Sequence, residues 1–447
     1  MSQILKDPFF YELLRDIQNQ CSVKSLEKLA RETGFLKRKR QLTPEAFLAL
    51  CVLQAQPSAR SSLGRMCSYL HLENNLSISE EGLNQRFSTK GVRFLKELLC
   101  RLVQSRFSTK EQPLISQLSF SRIRILDSTG FSLPMQFPDG YAGSDSSGVK
   151  VQLEYDLLSG NFLYGGVREG KENDATFAKE TVGNILPEDL FIRDLGYFST
   201  MFLREVDQRG AFYVTRFKSN MKMFQKENGT FHELNPTELG EKLLPGECLE
   251  VPNIYLGAER LYIPRLSIHR LTEDQLKRRQ RKQKAVQKKK GKALTSRTLQ
   301  KQAYNYLFTN IPQEEISSQD LYLLYSLRWQ VEILFKTWKS HFHLDKVKRM
   351  KKERFECHLY GVLIAIWISM RFTFQARLYL YKKKGMEISE YKTMSFIREV
   401  LPQIIKAHLD KAIFIDDLYC LLIRHGKKSR KKGRSTQLEI LNMIGVI

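Results

Sequence analysis

Four residues pose the chemical question in this chain of 447 residues. Tyr325, Arg328, Glu332 and Lys339 lie in the stretch YSLRWQVEILFKTWK, which contains no Pro or Gly. On a helix turning about 100° per residue they fall within roughly 60° of one another. A phenol, a guanidinium, a carboxylate and an ammonium would then share one wall. The other face carries Leu324, Leu327, Val331, Leu334, Phe335 and Trp338, an apolar stripe for a core. Ser317, with Asp320 three residues on, predicts the start of this helix. A carboxylate among cations suits phosphate chemistry. Glu332 would bind a hard divalent cation. Arg328 would hold phosphate oxygens as a planar fork and Lys339 as a point charge. The same residues would equally form a solvated Glu–Lys face, and one Glu cannot hold two metal ions.

Further acids stand upstream. Asp127 follows the apolar alternation of Ile123 and Ile125, and Asp194 follows the short apolar run from Leu190 to Arg193. Each alone reads as a turn residue at a strand end. Ligands gather at the carboxyl ends of strands in open α/β sheets. If the two strands are neighbours, Asp127 and Asp194 meet, and Glu332 arrives from a helix packed on the sheet. Three carboxylates in one place repel unless a cation joins them. Two Mg²⁺ ions (or Mn²⁺) about 3.5–4 Å apart would neutralise them and clamp a phosphodiester. Lys150 and Arg193, near these acids, are candidates for phosphate contact or for ordinary salt bridges. His341 and His343 read as surface or DNA-facing residues, since no Cys or second His pair supports a zinc site.

The surrounding elements must position these groups. Residues 1–115 read as helices, with Leu26, Leu29 and Ala30 at helical spacing, then Phe47, Leu48, Leu50 and Cys51. Two short helices around the break HLENNLSIS fit either a helix-turn-helix presenting Asn84, Gln85 and Arg86 or a plain helical bundle. From Arg122 the pattern becomes strand-like. A strand ending at Asp127 precedes the loop FPDGYAGSDSSG, and a hairpin follows at Val149–Leu157 and Phe162–Val167. Next come a helix capped by Asn173 or Asp174, a strand to Arg193, a helix from Ser199 to Gln208, and a strand from Ala211 to Phe217. The order β-β-β-α-β-α-β predicts a mixed sheet with helices on its faces and matches the ribonuclease H-like fold. The expected class is mixed α/β (α+β), with core segments 116–218 and 304–345. Between them, 219–303 reads as a β-rich and basic subdomain, and 346–447 as a helical, basic C-terminal region.

Charge points to a partner. Lys and Arg number 72 against 48 Asp and Glu, a formal net charge of +24. The excess clusters at Lys277–Lys292, Lys346–Arg354, Lys382–Lys384 and Arg424–Arg434. This favours a polyanion, nucleic acid before membrane. The Lys277–Lys292 run reads as a solvated linker, a phosphate-backbone contact, or both. Seven irregularly spaced cysteines indicate neither a zinc site nor a disulfide framework. The first residues, MSQILKDPFF, lack a signal-peptide core. The longest apolar run, Leu359–Met370, is short for a bilayer and reads as a buried helix.

Taken together, these motifs resemble those of bacterial insertion-sequence transposases of the DDE class. The closer likeness is to the "insertion sequence 4" family, marked by Tyr-x2-Arg-x3-Glu-x6-Lys. Tyr325, Arg328, Glu332 and Lys339 have that spacing. DSTGF around Asp127 and RDLGYF around Asp194 resemble its two aspartate motifs, and GVKVQLEYDLLSG and YLFTNIP are similar to its core strands. The resemblance implies that Asp127, Asp194 and Glu332 are catalytic metal ligands, with a β-rich domain inserted between the second Asp and the Glu. It also implies cut-and-paste chemistry by 3′-OH attack, often with a hairpin on the transposon end. The implied partners are the terminal inverted repeats and target DNA, bound by a homodimer in the synaptic complex. No membrane partner is expected, and the location would be cytoplasmic, at the nucleoid. Family members that form hairpins can stack a flipped base on a Trp just before the last strand of the insertion. Here Asn305 lies between Tyr304 and Tyr306, and either ring is the candidate substitute. A ribonuclease H-like nuclease that cuts without joining, and an inactive DNA-binding repressor of the element, are the competing readings.

Overall fold

The computed structural model describes residues 8–38, 41–53, 62–104, 118–134, 137, 140–143, 146–217, 221–290, 302–405, 411–429 and 435–447. The expected segment boundaries near 115 and 218, and the ends of the basic runs at 291–292 and 430–434, lie outside these residues.

The chain opens with helices α1 (Pro8–Gln20), α2 (Val23–Glu32), α3 (Pro44–Val52), α4 (Leu63–Asn74), α5 (Glu80–Arg86) and α6 (Thr89–Gln104). Their starts follow from local chemistry. The hydroxyls of Ser22, Thr43, Ser62 and Ser79 each accept a hydrogen bond from a backbone N–H of the first turn.

A ten-stranded sheet follows, and its first half carries the predicted acids. Strands β1 (Arg122–Ser132), β2 (Gly148–Asp156) and β3 (Phe162–Glu169) form an antiparallel meander. After α7 (Asp174–Glu180), strand β4 (Asp189–Arg193) returns parallel to β1. Helix α8 (Thr200–Gln208) then leads to β5 (Phe212–Arg216), parallel to β4. Asp127 does not end its strand, contrary to expectation. The strand runs on to Ser132, because β2 pairs with it along that whole length. What stops there is the parallel ladder, whose last pair is Leu126 with Arg193.

The remaining strands are β6 (Met223–Glu227), β7 (Thr230–Leu234), β8 (Cys248–Leu256) and β9 (Leu261–Arg270), with the short α9 (Pro236–Gly240) between β7 and β8. They continue the same sheet through β10 (Tyr304–Thr309), in the order β3-β2-β1-β4-β5-β10-β9-β8-β6-β7. The β-rich region therefore shares a continuous ladder with the first five strands. The Lys277–Lys292 run is no plain linker: α10 (Glu273–Lys290) carries most of it. Arg279 ties this helix to the sheet, donating to the Gln302 and Tyr304 carbonyls and to Asn305 Oδ1.

The predicted single helix over Tyr325–Lys339 is two helices, α11 (Ser318–Ser326) and α12 (Trp329–His341). Leu327 and Arg328 donate to the carbonyls of Leu324 and Tyr325 three residues back, a tight turn that re-aims the second helix. Ser317 caps α11, as its position predicts. The apolar stripe from Leu324 to Trp338 is buried throughout.

Helix α13 (Lys352–Lys384) runs for 33 residues and is buried along most of its length. It touches α1, α3 and α6, and also α14 (Glu390–Glu399). It is long and apolar enough to cross a membrane, yet its most apolar window is wholly enclosed by protein. Helices α15 (Leu401–Ile405), α16 (Lys411–His425) and α17 (Gln437–Met443) follow.

Candidate active site

Strand periodicity explains why the acids converge. Side chains alternate faces along a strand. Ile123 and Ile125 of β1, and Leu190 and Ile192 of β4, point into one core. Asp127 and Asp194, two residues further on, share their parity and face. The strands are parallel neighbours, so both carboxylates stand at the point where the ladder ends. Helix α12 packs over β1 on that side. The turn at Leu327–Arg328 aims Arg328 down between the acids.

The guanidinium joins all three. Arg328 Nη1 donates to Asp127 Oδ2 at 3.1 Å, and Nη2 to Glu332 Oε1 at 2.8 Å. Its Nε lies 3.7 Å from Asp194 Oδ1. The Asp127 side chain is 18% exposed, against 42% for Asp194 and 40% for Glu332, so the cluster has one sheltered member and two that face solvent. Burial pushes the Asp127 carboxyl up to about 6. Asp194 and Glu332 add to this by repulsion, while the Ser128 N–H and Arg328 work against it. Burial disfavours the Arg328 cation, but Asp194 and its other neighbours outweigh that and raise its pKa. Tyr325 is buried against Arg328, and burial lifts its phenol above the usual range. Lys339 Nζ donates to the Gly130 carbonyl at 3.0 Å, further along β1.

This donor set fits a divalent cation in its chemistry: hard carboxylate oxygens from three elements, already gathered around one positive charge. Among the described residues no cluster of three acidic, His or Cys side chains has metal-holding geometry as it stands. The guanidinium lies between the oxygens.

Other expected site residues are placed elsewhere. Lys150 points to the reverse face of the sheet, where its Nζ donates to Asp174 Oδ1 at 3.1 Å and to the Glu172 carbonyl. Arg193 also faces the reverse side. It is buried and paired with Glu154 at 3.0 Å, beside the Arg124–Asp189 pair. Both take the salt-bridge alternative, because each differs from the aspartates by an odd number of strand positions. Tyr304 and Tyr306 are 7% and 9% exposed and pack in the second core, so neither offers an open ring face for a base. On α5, Gln85 is exposed and bonds Glu81, while Arg86 is half-buried near the Phe35 ring. The Asn84 carbonyl accepts from Lys351 at 2.7 Å. His341 packs against Tyr391, with ring centroids 4.1 Å apart.

One residue escaped the sequence reading. Trp329, directly after Arg328, is 50% exposed. Its ring lies 5.5 Å from Lys282 Nζ of α10 and 5.1 Å from the Arg328 guanidinium carbon. Its place off the apolar stripe of the helix was the available signal.

The transposase DDE domain family matches residues 118–368, the span that holds all three acids. The chain belongs to the insertion-sequence transposases of the DDE class, enzymes that cut DNA and transfer strands. It is 38% identical to the transposase for insertion sequence element IS231D of Bacillus thuringiensis subsp. finitimus, over 94% of this chain and 92% of that one. It is 30% identical to the transposase for insertion sequence element IS1151 of Clostridium perfringens, over 97% and 96%. Among solved structures it is similar to the piggyBac transposase synaptic complex with hairpin DNA. That likeness has a TM-score of 0.43 and 11% identity, covering 98% of this chain and 87% of that one.

Proposed function

We propose that Asp127, Asp194 and Glu332 are the metal-binding catalytic residues of this transposase, set in a ribonuclease H-like core of residues 116–218 and 304–345. The observation that carries this reading is the convergence of the three carboxylates on one guanidinium at the end of the β1–β4 ladder. Two Mg²⁺ ions, or Mn²⁺, held by these acids would supply activation of the attacking oxygen and stabilisation of the leaving one. Arg328 supplies paired N–H donors to phosphate oxygens, and its tight turn keeps it in line with the acids. Lys339 offers a point charge along the path of the strand, and Tyr325 packs behind Arg328 to fix its direction. Residues 1–115 provide a helical DNA-binding region, with Gln85 of α5 as the open reader and Arg86 beside it. Residues 219–303 form an insertion that extends the sheet, and 346–447 form a basic helical region. The DNA partners are the terminal inverted repeats of the element and the target, engaged by a homodimer at the nucleoid of the cytoplasm.

The test uses the purified full chain, DNA carrying the end of its element, and Mg²⁺. Asp127→Asn, Asp194→Asn and Glu332→Gln should each lower cleavage by about three orders of magnitude, the scale of losing charge stabilisation in phosphoryl transfer. Binding to the same DNA in Ca²⁺ should persist. Retained cleavage in any of the three would remove that residue from the site.

A further inference from the structure

A hydrogen-bonded network around a single carboxylate, Asp174, lies behind the acids on the reverse face of the sheet. Asp174 opens α7, and its Oδ1 accepts three hydrogen bonds. The donors are Ser128 Oγ at 3.2 Å, Lys150 Nζ at 3.1 Å and Gln152 Nε2 at 3.0 Å. The Gln152 carbonyl oxygen in turn accepts from the Tyr197 hydroxyl at 2.6 Å. These partners come from β1, from β2 and from the turn after β4.

Two of them adjoin the proposed metal ligands. Ser128 follows Asp127, and its backbone N–H donates to Asp127 Oδ1 at 2.8 Å. Its side chain points the other way and is held by Asp174. One residue thus grips the front carboxylate by its amide while its hydroxyl is anchored behind. Tyr197 stands three residues after Asp194, and its ring is buried with Leu126 and Phe177. Asp174 also lies close to the Asp194 turn itself. A β-carbon on Gly196 would stand 3.5 Å from Asp174 Oδ2. Like-charged acids at the front push one another apart, so whatever fixes their backbones sets how well they accept a shared cation.

We infer that Asp174 is a positioning residue for the metal site, holding the Asp127 and Asp194 motifs in register from behind through Ser128 and through Gln152–Tyr197. The inference rests on the proposed assignment of the acids in front. Outer partners of metal ligands are worth about 10–100-fold in metal affinity, which sets the expected size.

The readout is Mn²⁺ binding to the DNA-free protein by electron paramagnetic resonance, beside the Mg²⁺ concentration for half-maximal cleavage. Asp174→Ala should weaken Mn²⁺ binding by about tenfold and move the Mg²⁺ midpoint by the same factor, with affinity for end DNA unchanged. Asp174→Asn keeps the accepting Oδ1 and should stay within about threefold of wild type. Ser128→Ala should reproduce the loss while leaving the Lys150–Asp174 pair intact, and it serves if Asp174→Ala does not fold. Wild-type Mn²⁺ binding in Ser128→Ala, or Asp174→Asn as impaired as the worst variant, would overturn the inference. Asp127→Asn is the control. If it retains Mn²⁺ binding, the front assignment fails; if it loses binding while Ser128→Ala does not, only the role of Asp174 falls.

Discussion

Asp127 is held in a form that costs the fold something. Its carboxyl is pushed up to about 6, chiefly by burial, from an unfolded value of about 3.9. A carboxyl raised on folding contributes stability that is full below the unfolded value and lost as pH rises through the folded one. At neutral pH the ionised group therefore destabilises the protein. Asp127→Asn should raise stability at pH 7.5 by on the order of 1 kcal/mol in metal-free buffer, less than the full shift allows because the Arg328 contact also weakens. The gain should vanish by about pH 4, near the unfolded carboxyl value. Chemical denaturation at the two pH values checks this. A variant less stable at pH 7.5 would mean that the Arg328 pair outweighs burial. The shared side of Arg328, Glu332 and Lys339 could be read from 100° per residue, whereas Tyr325 lies on α11, beyond the turn at Leu327–Arg328. The side of the sheet taken by Arg193 was legible from its place beside Asp194, and that of Lys150 from its alternation with the core residues Val149 and Val151. Nearness in sequence obscured it.

At the scale of elements, the neighbouring of β1 and β4 comes from their parallel pairing in the sheet, while the order of strands and helices along the chain could be read from alternation and apolar runs. The break between α11 and α12 could not, since no Pro or Gly marks Leu327 or Arg328; packing of the two helices onto different parts of the sheet produces it. The helical state of the basic run was also hidden, because its support is tertiary. Arg279 anchors α10 to backbone carbonyls and Asn305 of the adjoining chain segment. That docking brings Lys282 over Trp329. A half-exposed indole between two cations, beside the acids, suits a displaced base better than the buried Tyr304 and Tyr306 do. Stacking on an aromatic ring is worth about 1–3 kcal/mol per base. With 2-aminopurine placed next to the cleaved bond, Trp329→Ala should abolish the fluorescence change on complex formation and slow cleavage by roughly ten- to a hundredfold, within that range. Tyr304→Leu and Tyr306→Leu, which remove the ring, should leave the signal intact. An unchanged signal in Trp329→Ala would exclude the indole as the platform.

For the whole molecule, one apolar stripe of the C-terminal region could serve either as a dimer surface or as an internal core contact. Phe396, Ile397, Val400, Leu401, Ile404 and Ile405 recur at helical spacing, and the structure takes the core alternative: Ile397, Leu401 and Ile404 are buried in the chain's own core and the others pack against it. An apolar stripe cannot by itself tell a partner helix from a neighbour within the chain. We expect pairing of two chains to be coupled to DNA binding. Mass photometry should find monomers without DNA, and two chains with two ends in Ca²⁺. A complex of one chain and one end that completes strand transfer when Mg²⁺ is added would defeat this. The basic clusters lie far apart in sequence, which suits contacts that only the folded chain assembles, and affinity should fall steeply with salt. Helix α13 has a consequence for how the molecule is made. The N-terminal helices α1, α3 and α6 pack on a helix that ends at Lys384. A ribosome adding about 5–20 residues per second needs on the order of half a minute to travel from α6 to that point. Through that interval the N-terminal helices have only one another to close against, and the nascent chain must carry open the faces that α13 later covers.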